Sequence, residues 1–283
     1  MQKPVASGGY FPNGVPYNQV GHGPGTLLIF QRLFFDNRPL PASMVWLYRS
    51  YFQYLAETHT TYIVHRKTGM PAGYSLPDMA DDYATVIEEM LGGPVDIMGS
   101  STGGSIALHF AADHPDLVRK LILHSSAHSL NARSKQVQLE VGELARQRRW
   151  PAAYAKMVSL TRYSKLVIWI GALLAGTFGV PKDPSDVLVT IAAEDQLNFK
   201  DRLGQITAPT LVIAGEQDPF YSPTLFRETA VGIPRGQLIL YPGMGHPAAG
   251  KQFRQDVLRF LKEEPAAGEP RLSVKPTRAA ARP

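Results

Sequence analysis

The residues best placed to do chemistry stand in the run Gly99-Ser100-Ser101-Thr102-Gly103-Gly104. It fits the pattern G-x-S-x-G, with Val95, Ile97 and Met98 before it and a helix-forming stretch after it. That context predicts a sharp strand-to-helix turn, which strains the central residue and lifts the Ser101 hydroxyl above the sheet edge. The helix beyond aims its first N–H groups and positive dipole end at the same point. A plain Gly/Ser turn or an anion-binding loop uses similar residues, but a strand on one side and a helix on the other favour a nucleophile.

A serine hydroxyl attacks poorly until a base takes its proton, and the base needs a carboxylate to orient it. Behind such a turn the acid and then the histidine follow in chain order, each at the carboxyl end of a strand. The apolar run Thr210 to Ala214 leads into Gly215-Glu216-Gln217-Asp218-Pro219. The run Gln237 to Tyr241 leads into Pro242-Gly243-Met244-Gly245-His246-Pro247. Asp218 and His246 are thus the expected partners of Ser101. Glu216 competes for the acid's place, but Asp218 reaches further into the loop, where a histidine is met. His65, His109, His114, His124 and His128 fall in or beside expected strands and helices and read as structural. His22, in Gly21-His22-Gly23-Pro24-Gly25, precedes a strand and reads as a hairpin turn. No histidine–carboxylate cluster has metal spacing and no G-x-x-x-x-G-K-[ST] phosphate loop occurs, so neither metal nor cofactor is expected.

These side chains need strands behind them and helices around them. Short apolar runs bounded by turn residues predict strands at Thr26 to Phe30, Thr61 to His65, Pro94 to Gly99, Lys120 to Ser125, Pro209 to Gly215 and Gly236 to Tyr241. Runs apolar on both faces belong to a parallel sheet covered on both sides. Between them Met79, Tyr83, Val86, Ile87 and Met90 recur at helical spacing after Ser75, and Phe253, Val257, Phe260 and Leu261 form a second apolar stripe. Residues 8–25 predict a pair of strands turning at Asn13-Gly14. The stretch between the strands at 120–125 and 209–215 is too long for a loop, so residues 128–185 are expected to be a helical cap inserted in a core of residues 1–127 and 186–264.

Composition narrows the class. The chain has 283 residues, no cysteine, and a formal net charge of +5. Lack of cysteine excludes disulfide scaffolds and thiolate catalysis. Residues 265–283 hold Arg271, Lys275, Arg278 and Arg282 against Glu269 alone, so most of the excess charge lies in a tail poor in apolar residues, expected to be disordered. The remaining balance is ordinary, and no nucleic-acid partner is expected. The apolar run Leu166 to Val180 is shorter than the roughly 20 residues that cross a bilayer, and no secretory signal opens the chain, so a cytoplasmic protein is expected.

The elbow GSSTGG, the blocks PTLVIAGEQD and YPGMGHP, and the passage HPDLVRKLILHSSA together resemble the α/β-hydrolase fold superfamily over about residues 8–263. The resemblance implies an α/β fold, a mostly parallel sheet with helices on both faces and a cap after the sixth strand. It also implies that two backbone N–H groups hold the oxyanion: that of Thr102, and one in the loop after the third strand. By position the second donor is Leu33, with Arg32 where relatives usually carry glycine. Arg32 is either a solvated loop arginine or a side chain that enters the site.

The activity expected is cleavage of a carboxylic ester with an apolar portion through Ser101, His246 and Asp218. Ser100, Arg32, Trp169 and Leu173 are candidate substrate contacts. The apolar run around Trp169 and Leu173 must face the core, a partner subunit in a homodimer, or an acyl cavity. Carbon–carbon bond hydrolases, lactonases and cofactor-free haloperoxidases use the same three residues, and some relatives are ligand-binding receptors with little turnover.

Overall fold

Six apolar runs become strands, displaced by no more than two residues at either end. The computed structural model describes residues 6–161, 166, 170–171, 180–181, 183–263 and 271–274. The strands are β1 (Ala6–Tyr10), β2 (Pro16–Val20), β3 (Gly25–Phe30), β4 (His59–Val64), β5 (Val95–Ser100), β6 (Val118–His124), β7 (Thr210–Gly215), β8 (Gly236–Tyr241) and β9 (Arg271–Val274). They form one sheet in the order β1-β2-β4-β3-β5-β6-β7-β8-β9. The first two pairings are antiparallel and all others parallel. Every residue of β5 and β7 is buried, as expected of strands covered on both faces.

β1 and β2 form the expected hairpin, turned through Gly14 at φ 86°. The link from β2 to β3 is no hairpin, because β4 lies between them. His22 therefore sits in a crossover at the amino ends of β3 and β4, the opposite edge from the elbow.

Two apolar layers sandwich the sheet. On one face α2 (Leu76–Val86), α3 (Thr102–Asp113) and α7 (Pro223–Gly232) pack on Leu28, Phe30, Ile97, Leu121 and Val212. On the other, α1 (Val45–Phe52) and α8 (Lys251–Lys262) pack on Leu27, Ile29, Met98, Ile122 and Ile213. The α8 stripe of Phe253, Val257, Phe260 and Leu261 is fully buried, as its spacing predicts. The α2 stripe departs at its end. The chain passes into a π turn over Ile87–Leu91, which breaks the period and leaves Met90 half exposed.

After β6 come α4 (Ala132–Arg146), α5 (Trp150–Val158) and α6 (Ser185–Asp195). Asn131 caps α4, its side-chain oxygen accepting from Ser134 N at 2.9 Å. Val137, Val141, Ala145, Trp150, Ala153, Val187 and Ile191 form a third cluster, which takes in Leu33 and Phe35 from the loop after β3. Leu166 and Ile170 are helical and exposed on this chain, so these two face neither its core nor a closed cavity. Trp169, Leu173 and Phe178 lie outside the described residues. Among the described residues no helix is long and apolar enough to cross a membrane.

The expected disorder of residues 265–283 needs correction at Arg271–Val274. That segment forms β9, in parallel register with β8 from Gln237↔Arg271 to Leu240↔Val274. The outer edge of β8 carries a row of backbone N–H and C=O groups, and even a short segment with no large core satisfies them by pairing.

Candidate active site

The elbow is built by strain and close packing. Ser101, directly after β5, has φ 51° and ψ −122°, a left-handed conformation in a non-glycine residue. It is held from both sides: Ser101 N donates to His124 O at 3.0 Å, and Ser101 O accepts from Gly104 N at 2.7 Å. A side chain at Gly103 would place its Cβ 1.9 Å from Phe30 O, and one at Gly99 would lie 2.5 Å from Gly104 Cα. Glycine at these positions lets α3 seat against the end of β3. Thr102 is the first residue of α3, so its N–H has no intrahelical acceptor.

The acid and the base come from the next two strand ends. Gly215, closing β7, is so close to Met244 O (2.2 Å from a hypothetical Cβ) that the two loops run in contact. Gln217 N donates to Met244 O at 2.9 Å across them. His246 Nδ1 donates to Asp218 Oδ2 at 2.7 Å, with both side chains nearly inaccessible. The other carboxylate oxygen of Asp218 accepts from Phe220 N at 2.9 Å and Tyr221 N at 3.3 Å. Those bonds leave the carboxylate no rotational choice. Glu216 ties to the sheet only through its backbone, Glu216 N donating to Tyr241 O at 3.0 Å, and has no side-chain bond to His246.

Ser101, Thr102, Leu33 and His246 line one cavity of about 310 Å³, roofed by Val137, Gln138, Tyr154 and Met157 from α4 and α5. Ser101 Oγ and His246 form no hydrogen bond here; such bonds often tighten only with a bound reactant. The Phe220 ring packs on the His246 imidazole at 4.6 Å between centroids. Behind the nucleophile the buried Tyr221 hydroxyl lies against Ser101 and Ser126 without a well-formed bond. Burial raises its pKa far above the usual phenol value, so it stays protonated.

Arg32 is exposed and lines the cavity, while Leu33 beside it is buried. Ser100 points to the opposite face of β5 and donates to His124 Nδ1 at 3.3 Å; His124 Nε2 donates to Ala248 O at 2.7 Å. Burial first, and then His246 and Arg32 nearby, depress His124 to a pKa of about 4, so it is neutral. Ser100 and His124 therefore brace the loop that carries His246.

Sequence reading misses two buried polar side chains that fix the rim. Glu194 of α6, fully buried, accepts from Thr102 Oγ1 at 2.8 Å, Ser105 Oγ at 2.7 Å and Gln138 Nε2 at 2.9 Å. It therefore ties the first turn of α3 to α4. Its signal in the sequence is position: with Val187, Thr190 and Ile191 it falls on one helical face, where a carboxylate is out of place. Arg66, also buried, donates to Gln31 O at 3.0 Å, Arg32 O at 3.2 Å and Asn37 Oδ1 at 3.1 Å, and so pins the loop after β3. Burial lowers its pKa. Arg66 carries no comparable sequence signal, since it directly follows a strand.

Residues 21–256 match the model of the alpha/beta hydrolase family. The chain is 30% identical over 217 residues to a putative carbamate hydrolase RutD of Rhizobium rhizogenes, covering 70% of this chain and 80% of that one. It is also 30% identical over 189 residues to a 2-hydroxy-6-oxononadienedioate/2-hydroxy-6-oxononatrienedioate hydrolase of Cupriavidus pinatubonensis, covering 62% and 65%. Among solved structures, an alpha/beta hydrolase enzyme from a Medee basin deep-sea metagenome library superposes with a TM-score of 0.75 at 17% identity, over 88% of this chain and 94% of that one. The strained serine, the bonded histidine and aspartate on successive strand ends, and the family match lead to one conclusion: the chain belongs to the alpha/beta hydrolase family and is a hydrolase.

Proposed function

We propose that this hydrolase cleaves carboxylic esters through an acyl-enzyme formed on Ser101. The carrying observation is the 2.7 Å bond from His246 Nδ1 to Asp218, which leaves Nε2 for the cavity that His246 shares with Ser101, a serine at φ 51°. Ser101 Oγ attacks the acyl carbon as His246 Nε2 takes its proton. The imidazolium, held by Asp218, passes that proton to the leaving alcohol, and the same nitrogen then activates water for deacylation. The N–H of Thr102 receives the developing oxyanion, with Leu33 N–H as the second donor. The helices within 128–185 are the cap, and the apolar side chains of α4 and α5 above Ser101 suit an apolar portion of the substrate.

A second reading, carbamate hydrolysis, is favoured by the likeness to putative carbamate hydrolases. The same attack serves there: the alcohol leaves as before, and the intermediate on Ser101 is a carbamoyl rather than an acyl ester, which water then releases. A fluorophosphonate probe separates both from a non-catalytic receptor. One adduct at neutral pH, mapped to Ser101 and abolished by Ser101→Ala, is expected. Absence of the adduct overturns the proposal. p-Nitrophenyl esters run beside matched carbamates then decide between the two substrates, the ester being turned over faster.

A further inference from the structure

Two cavities meet at the loop after β3, and only the smaller holds Ser101. The larger, of about 390 Å³, lies on the other side of Arg32, Phe34 and Pro247, which line both. Its walls are apolar and aromatic: Ile29, Met98, Tyr48, Phe52 and Phe253, opening past the partly exposed Leu47 and Tyr51 of α1. Ser100 and His124 form its inner end, directly beneath the elbow. Tyr48 O–H points to His65 Nε2 at 3.5 Å. Burial lifts the Tyr48 phenol to a pKa of about 12 and lowers His65 to about 3, so both stay neutral.

The neck between the cavities is charged. The Arg32 guanidinium stacks over the Phe34 ring at 5.2 Å, and among the described residues it has no carboxylate partner. Its backbone is fixed by Arg66, so the side chain starts from a rigid loop. A cation between two apolar chambers gains most when an anion meets it there, and a guanidinium is shaped to take a carboxylate by two parallel bonds. Phe34 holds the guanidinium at the neck without consuming its donors.

We propose that the larger cavity is a second subsite of the same active centre. It takes the apolar, ring-sized part of a substrate whose carboxylate pairs with Arg32 at the neck, while the scissile carbonyl lies over Ser101. That the bound molecule is a substrate rests on the ester-hydrolase reading; that the cavity and Arg32 bind an apolar carboxylate does not.

The test is therefore a binding measurement on the full chain carrying Ser101→Ala, with 3-phenylpropionate and its neutral amide as probes in a calorimeter at pH 7.5. The carboxylate is expected to bind at least tenfold more tightly than the amide. Adding Arg32→Gln removes that preference, and Arg32→Lys restores part of it. Adding Leu47→Trp, which fills the mouth of the larger cavity from an exposed position, weakens both probes at least fivefold. The proposal falls if neither probe binds, if the preference survives Arg32→Gln, or if Leu47→Trp changes nothing. Failure of the fluorophosphonate to label the wild-type chain strikes only the ester-hydrolase reading, because these measurements use a protein without the nucleophile.

Discussion

The sheet carries a buried histidine–aspartate pair at each of its two edges. At the carboxyl ends of the strands His246 meets Asp218 at 2.7 Å; at the amino ends His59 Nε2 meets Asp96 Oδ2 at 3.1 Å. Both aspartate side chains are fully buried. Their remaining partners differ. Asp96 also receives the Arg119 guanidinium on both oxygens, and His59 Nδ1 is taken by Thr58 Oγ1 at 2.9 Å. Every polar atom there is consumed and its charge is met. Asp218 receives only backbone N–H groups besides His246, so its charge is left to the imidazole, and the far nitrogen faces a cavity with Ser101. An aspartate behind a histidine is thus no signature of catalysis by itself. What distinguishes the two edges is the unmet charge, the free nitrogen and the strained serine.

The sharpest way to break this comparison is to neutralise each aspartate in turn. Asp218→Asn is expected to lower kcat for a p-nitrophenyl ester by roughly 10⁴-fold, through a wrongly held tautomer, and to leave the melting temperature nearly unchanged. Asp96→Asn is expected to do the reverse. It weakens a bond to His59 and to a half-exposed Arg119, costing about 1–3 kcal/mol of stability, while kcat stays within about twofold of wild type. Equal rate losses in both would erase the distinction.

A smaller effect tests whether the rim is held as the bonds suggest. Glu194→Ala strands three donors, on Thr102, Ser105 and Gln138, at a cost of roughly 3 kcal/mol in chemical denaturation. Because Thr102 N–H keeps its helix but loses its brace, kcat is expected to fall about tenfold, less than the roughly 10²–10³ of a deleted oxyanion donor, with KM little changed. A loss of stability with unaltered kcat would make Glu194 a core residue only.

The elbow, Asp218 and His246 were legible because each depends on residues consecutive in the chain. A strand, a turn with glycines at set positions and a helix leave their pattern in a few neighbours. The choice of Asp218 over Glu216 was legible for the same reason, since it turns on reach from one strand end. Glu194 and Arg66 were not, because each acts on residues far along the sequence and their partners emerge only once α6, α4 and the loop after β3 pack. His124 read as structural and is a strand residue, yet it braces the His246 loop through Ala248, a contact between distant segments. Met90 was misplaced by a π turn that no propensity announces. The place of Arg32 between two cavities is likewise a result of packing, which no pattern in its neighbours carries.

Buried neutral histidines make a prediction about pH that touches stability and not the site's chemistry. Burial is the first cause of the low pKa of both His65, about 3, and His124, about 4, against about 6.5 in the unfolded chain. Between those values the unfolded state binds more protons, so stability is complete above about pH 6.5 and declines as the pH falls. Each histidine contributes about 1.4 kcal/mol per pH unit until its folded pKa is reached. Urea titrations from pH 7 to pH 4.5 should show that slope, and His124→Gln should reduce it by one proton's worth. A slope unchanged by the variant would mean that His124 charges in the folded state.

The least effect is expected at the far edge of the sheet, where β9 adds a strand to β8. Lys120 Nζ donates to Phe260 O at 2.9 Å and Leu261 O at 2.8 Å, and to Glu263 O, closing the carboxyl end of α8. A truncation after Glu264 keeps those bonds and removes only β9 and the residues around it. What is lost is one short parallel ladder at an edge, where water replaces each bond, so the net cost is on the order of 1–2 kcal/mol. For a chain of this size about 1 kcal/mol moves the melting temperature by roughly 2–4 °C. The ester-cleaving rate should not change, since β9 lies one strand beyond the loop of His246 and on the outer side of β8. A fall of more than about 10 °C would mean that the segment does more than pair with an edge. No fall at all would mean that the edge of β8 is as well satisfied by water as by β9.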